Sequence, residues 1–313
     1  MKKCISKQFL SFVIAAILCC SLNAFALTDG DWEFQLLDNE AIITGYIGKG
    51  GDVVIPETIY GVPVTEIKGK NMLDSATSIT FPSTIKTIYP VAQGSKNLKK
   101  LVIPNGIEKI EPKAFSGCVN LENVVFPESL QEIGYTAFGG CSNLTKIDLP
   151  SNLKSIESWT FQNTSISGKL VLPDSLEVLG DYAFSNTNIT EVYIPYISNR
   201  FSYGAFSNCK LLKKAIIAPM NTYIPGGTFC GCTSLKYIDI PNTVTDIGYI
   251  PIDAGCLEGS FEGCTSLENI ILPTSLKSIN CNILKGCVNI KEVIIPYGTE
   301  SIGQRGPWNN EVR

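Results

Sequence analysis

Apolar residues recur along this chain at two nested spacings. The longer one is about 23 residues: Ala114–Pro127 reads AFSGCVNLENVVFP, and Ala137–Pro150 reads AFGGCSNLTKIDLP. The apolar letters hold while the polar letters between them change. A proline closes each short apolar stretch, at Pro56, Pro82, Pro104, Pro127, Pro150, Pro173, Pro195, Pro219, Pro241, Pro273 and Pro296. All but the 26-residue first interval and the 32-residue interval before Pro273 measure 22–24 residues, too regular for chance.

The shorter spacing is alternation. In LTKIDLP, Ile147 and Leu149 alternate with Lys146 and Asp148, the period of a strand whose apolar side chains point inward and whose polar ones meet solvent. Proline ends that strand because it lacks an N–H and fixes φ. The segment SLKSI (Ser275–Ile279) sends two more apolar residues inward from the opposite side. Ala-Phe then sets a large ring beside a small neighbour, so Phe115, Phe138, Phe161, Phe184, Phe206, Phe229 and Phe261 are predicted to form a stacked column. One coil of this size cannot bury its own apolar face and must stack on its neighbours. The pattern predicts a β-rich repeat solenoid of about ten coils over residues 52–303.

Written in full, the frame LxxIxIPxSLxxIGxxAFxGCxxL resembles the BspA-like leucine-rich repeat family of bacterial surface proteins. The resemblance implies a right-handed superhelix with a parallel sheet on its concave face. It also implies attachment to extracellular protein or glycan ligands on host matrix, host cells or other microbes. The chain departs from the frame in three places. Thr164 and Thr187 stand where Cys is usual, Tyr249–Ser260 carries an insertion of about nine residues, and the last coil stops after Ile302, leaving 304–313 as a tail without a sorting domain.

Ahead of the array, Trp32–Gly48 alternates on both sides of Asp38-Asn39, a turn pair, so residues 27–51 are expected to form a β-hairpin cap over the open end. Residues 1–26 have a basic start, an apolar run from Phe9 to Cys20 and an Ala24-Phe25-Ala26 cleavage site, the three parts of a secretory signal peptide. Cys19 and Cys20 raise a lipoprotein alternative, disfavoured because Ile17 and Leu18 are large where a lipidation site usually has small residues. No later stretch is apolar for 18 residues, so no transmembrane span is expected and the product is expected to be secreted or at the cell surface, as a monomer.

Charge and composition narrow the function. The chain carries −4, and the +3 of the leader leaves −7 on residues 27–313, which argues against nucleic acid or anionic membrane as main partners. There is no His, which removes the commonest general base and metal ligand. Neither Ser-His-Asp nor Cys-His catalysis is available, so no enzyme activity, cofactor or metal is expected.

Six cysteines (Cys118, Cys141, Cys209, Cys232, Cys264, Cys287) share one repeat position, each preceded by Gly or Asn. In an exported protein the first reading is a disulfide framework or metal site, but one repeated inward position explains all six as buried thiols acting as small hydrophobes. Cys230-x-Cys232 has no second pair to complete a zinc site. Cys256 and Cys281 lie outside the shared position and remain disulfide candidates. GKGG (Gly48–Gly51) lacks the ending of a phosphate loop and reads as a turn. Asp253 and Glu258 are the acids a hydrolase working through the insertion would use, although acids in exposed loops are usually just solvated.

The outward strand position reads Thr80, Val102, Val125, Asp148, Val171, Tyr193, Asp239, Ile271 and Ile294, with the coil between Tyr193 and Asp239 out of step. Strand propensity alone favours such residues, but contiguous exposed apolar area marks an interaction surface. Val102, Val125, Asp148, Val171, Tyr193, Asp239, Ile271 and Ile294 are therefore the candidate ligand-binding residues. Lys100, Lys146, Lys169 and Lys214, two residues back, border them with charge. The expected function is an exported surface protein binding extracellular protein or glycan; a structural envelope component without a soluble ligand is the alternative.

Overall fold

A coil of this sequence folds with three sides: a long strand such as Asn123–Val125, a two-residue strand such as Glu132–Ile133, and the Ala-Phe turn. The computed structural model describes residues 27–249, 258–280 and 282–303. Within them the chain is all strand and turn, about eleven turns of parallel stacked sheet with no helix.

The long strands form one wall. Gly51–Val54, Ala76–Thr80, Lys100–Val102, Asn123–Val125 and Lys146–Asp148 pair in succession, all parallel. A second sheet continues the wall with Ser167–Val171, Asn188–Ile194, Lys214–Ile217 and Tyr237–Asp239. The short strands form the other wall: six from Thr87–Ile88 to Arg200–Phe201, and four from Tyr223–Pro225 to Ser301–Ile302. The Ala-Phe side is laddered as well, with Phe115 N–H donating to Ala137 O and Phe138 N–H to Thr160 O, both at 2.9 Å.

The seven predicted phenylalanines run through the centre, fully buried, with neighbouring centroids 5.2–5.9 Å apart and planes within 24°. Beside them runs the cysteine column, all six free and buried. Each thiol from Cys141 onward donates to a Phe carbonyl of the coil before it, for example Cys141 Sγ to Phe115 O at 3.1 Å and Cys264 Sγ to Phe229 O at 3.2 Å. Thr164 and Thr187 instead donate to the Phe carbonyl of their own coil, at 2.9 Å. The Gly or Asn before each Cys or Thr sits in the left-handed region, φ 57–76°, which those residues tolerate best. The fixed Ser of the frame also links coils: Ser129 Oγ donates to Ile107 O and Ser175 Oγ to Leu153 O, each at 2.7 Å.

At the N-terminal end, Trp32–Leu37 and Glu40–Tyr46 form the antiparallel hairpin around Asp38 (φ 47°) and Asn39 (φ 70°), the positive pair that a type I′ turn requires. Leu27–Asp29 adds a third antiparallel strand. Glu40–Tyr46 then pairs in parallel with Val62–Ile67 and buries Ala41 and Ile43, so the hairpin is hydrogen-bonded to the repeats that follow.

The long wall departs from one unbroken line in two places. It breaks between Asp148 and Ser167. The coil there has one residue fewer between Phe161 and Ile166 than the coil before it has between Phe138 and Leu144, and one more within its strand. Its pairing with the next strand slips by one residue just after Gly168, φ +82°, where Thr190 of Asn188–Ile194 is skipped. The wall also ends at Asp239: the segments holding Ile271 and Ile294 follow the insertion and are not strands.

Candidate functional site

The strands of the long wall set their outward side chains in register. Val54, Thr80, Val102, Val125 and Asp148 face one another in sequence across the first sheet. Val171, Tyr193, Ile216 and Asp239 do so across the second. Ile216 fills the coil that the sequence reads as out of step: its strand is in register, and only its closing Pro219 is displaced by one residue. Val125 is 72% exposed, Val171 55% and Val102 39%, while Tyr193 and Ile216 are half-buried. Ile271 and Ile294 are exposed but lie beyond the sheet, so the structure does not bring them into this row.

Two residues back runs a second outward row: Asp52, Ser78, Lys100, Asn123 and Lys146 in the first sheet, then Lys169, Glu191, Lys214 and Tyr237 in the second. Lys146 Nζ pairs with Asp148 Oδ2 at 3.2 Å, and Lys214 Nζ lies 5.5 Å from the centre of the Tyr237 ring. Between the rows of the second sheet is a shallow hollow of about 220 Å³, lined by Lys169, Val171, Glu191, Val192, Tyr193, Lys214 and Ile216. An apolar floor with Lys and Glu at its border suits a partner that offers an apolar group beside polar or charged ones. Sequence reasoning missed Ile216, Glu191 and Tyr237. The Lys-x-x spacing of Lys169 and Lys214 to their prolines differs by one, and matching the lysines instead of the prolines finds the correct register.

Asp253, Cys256 and Cys281, with most of the insertion, lie outside the described residues. At the insertion's edge, Glu258 N–H donates to Tyr203 Oη at 2.6 Å, and burial pushes the Tyr203 phenol up. The Cys230 thiol is pushed up to about 12, by burial first and then by Glu258 and Glu262, so it stays protonated at neutral pH. The Gly48–Gly51 segment is the turn leading into the first long strand, with Gly50 and Gly51 both at φ +82°. Among the described residues no cluster of His, Cys, Asp and Glu is arranged to hold a metal ion, and no helix is long and apolar enough to cross a membrane.

The BspA type leucine-rich repeat region matches this chain in six copies, over residues 70–168, 92–213, 168–250 and 255–306. The chain belongs to the BspA type leucine-rich repeat family. Among solved structures it is similar to the pneumococcal vaccine antigen PcpA, at 23% identity over 90% of this chain and 85% of the antigen, with a TM-score of 0.57. A leucine-rich repeat protein from Bacteroides ovatus aligns at 23% identity over 89% of this chain and 91% of its own (TM-score 0.43). One from T. pallidum aligns at 25% over 78% and 91% (TM-score 0.43). No curated protein matches. The antigen's likeness shows the repeat fold, and the family match assigns the repeats.

Proposed function

We propose that this BspA type repeat protein acts outside the cell as a non-enzymatic binding protein, and that it takes an extracellular protein or glycan on the outward face of its long-strand wall. The observation that carries this reading is the in-register row Val171–Tyr193–Ile216 above a bordered hollow. The core does not require these side chains: the wall's inward residues, such as Leu170, Val192 and Ala215, are buried on the other face. An apolar row that is surplus to folding and flanked by Lys169, Glu191 and Lys214 has the make-up of an interface centre and rim, with Tyr193 as its anchor. A basic N-terminal segment with a cleavage site and the surface role of the family support an extracellular location. The test is capture of immobilised matrix proteins and an oligosaccharide array by the purified chain, beside its Tyr193→Asp variant. Binding of at least one ligand that the variant loses supports the reading; a ligand held equally by both moves the site off this wall.

A further inference from the structure

A second surface lies on another side of the coil, between the short strands and the Ala-Phe turn. Two residues before the Phe or Leu of that turn the backbone is left-handed in most coils. Gly204, Gly227 and Asn282 hold the position at φ 63°, 64° and 60°, as such residues readily do. Four successive coils place larger residues there instead: Lys113 (65°), Thr136 (54°), Trp159 (57°) and Tyr182 (53°). A β-branched or bulky side chain in this region is strained, and such strain gathers at ligand sites. The glycine coils of the same fold show that the architecture does not demand it.

The rings in this zone form a ladder across four coils. Tyr135 and Trp159 lie 5.2 Å apart, Trp159 and Tyr182 5.9 Å, and Tyr182 and Tyr203 5.5 Å. Tyr135 is exposed, Trp159 and Tyr182 half-buried, and the core is already filled by the phenylalanine column. At the N-terminal end of the same side is a hollow of about 350 Å³, lined by Lys68, Lys70, Tyr89, Pro90, Gln93, Pro112 and Lys113. The acids nearby are engaged: Glu66 pairs with Lys68 at 2.7 Å and accepts from Tyr89 Oη, and Glu111 pairs with Lys109 at 3.2 Å. Among the described residues, Lys70 and Lys113 have no carboxylate within 4 Å. The main chain here is closed, since the N–H groups of Lys113, Thr136, Trp159 and Tyr182 all donate to the next coil. A peptide therefore cannot add as a strand.

We infer that this side is a second binding site, for an acidic glycan: a sugar carboxylate or sulfate sits between Lys70 and Lys113, and the following sugar rings lay their C–H faces along Tyr135, Trp159 and Tyr182. Free lysines supply the charge, the aromatic ladder supplies one apolar contact per coil, and neither needs a main-chain partner. The site is separate from the Tyr193 wall and does not depend on it.

The test titrates the full chain with a galacturonate hexamer and a heparin hexasaccharide, beside the neutral methyl ester of the former and hexaglutamate, read by calorimetry. At least one acidic hexasaccharide binds, and the neutral ester and hexaglutamate bind at least about tenfold more weakly. Lys70→Gln with Lys113→Gly weakens binding by about tenfold, while the melting midpoint holds or rises because glycine relieves the φ of +65° at 113. Tyr135→Ala, at an exposed unstrained position, also weakens it. Failure of both acidic probes, equal binding of the neutral ester or hexaglutamate, or a lysine variant that binds as tightly as the parent overturns the inference.

Discussion

Phe138 shows what one repeated letter contributes. Its ring is fully buried between Phe115 and Phe161, at 5.4 and 5.6 Å, and meets Phe126 edge-on at 5.6 Å, so Phe138→Ala removes three ring contacts and leaves a cavity that closed coils cannot collapse into. The expected cost is about 3–5 kcal/mol. Each coil touches only its neighbours, so the damage is local: amide-exchange protection falls across residues 114–166 and persists across 229–247. An equal loss along the whole array would contradict this. The thiol column gives a second prediction at this scale. Burial pushes Cys287 up to about 11 from an ordinary 9.0. The unfolded thiol ionises first, so the stability tied to this group is complete below pH 9 and is lost as pH rises through 11. The melting midpoint should fall between pH 8.5 and 11, and by less in Cys287→Ala; an equal fall in both would remove Cys287 as a cause. The phenylalanine and cysteine columns were legible in the sequence because one inward position per coil repeats unchanged. The partner of each thiol was not, because which carbonyl it meets depends on how its coil stacks on the one before.

At the scale of the element, local signals read well and non-local ones did not. Asp38-Asn39 between two alternating runs announces a hairpin, since the turn needs two residues that tolerate positive φ. That Glu40–Tyr46 would also pair in parallel with Val62–Ile67 is a long-range match which the turn says nothing about. The break in the long wall was hidden for a related reason. One residue lost after Phe161 and one gained in the following strand cancel, so Pro150 to Pro173 keeps the 23-residue interval while the strand shifts. The candidate row was legible as far as Asp239. Its hollow was not, because Glu191 and Lys214 meet Lys169 only once the strands are in register. Gly168 adjoins the shift, and a Cβ added there meets nothing within 4 Å, so Gly168→Ala tests the backbone alone. The expected cost is about 1–2 kcal/mol in denaturant unfolding, from the φ of +82°. An unchanged midpoint would mean that the bulge relaxes freely.

Across the whole molecule, the two walls and the turn side divide the work. The inward faces carry the apolar columns that hold coil to coil, and the outward faces are left to vary. About eleven turns at a strand spacing of ~4.8 Å give an array roughly 50 Å long, so solution scattering should show an elongated particle and far-ultraviolet dichroism should show strand without helix. A compact sphere would be inconsistent with stacked coils. Folding and binding are thus carried by different faces, and one paired measurement tests that directly: thermal melting and ligand titration of the Val125→Asp, Val171→Lys, Tyr193→Ser triple variant beside the parent chain. All three side chains point out of the wall, so the melting midpoint should move by no more than a few degrees. Binding of the captured extracellular ligand should be abolished. A variant that melts normally and still binds would show that the outward row reflects only the strand preference of valine and tyrosine.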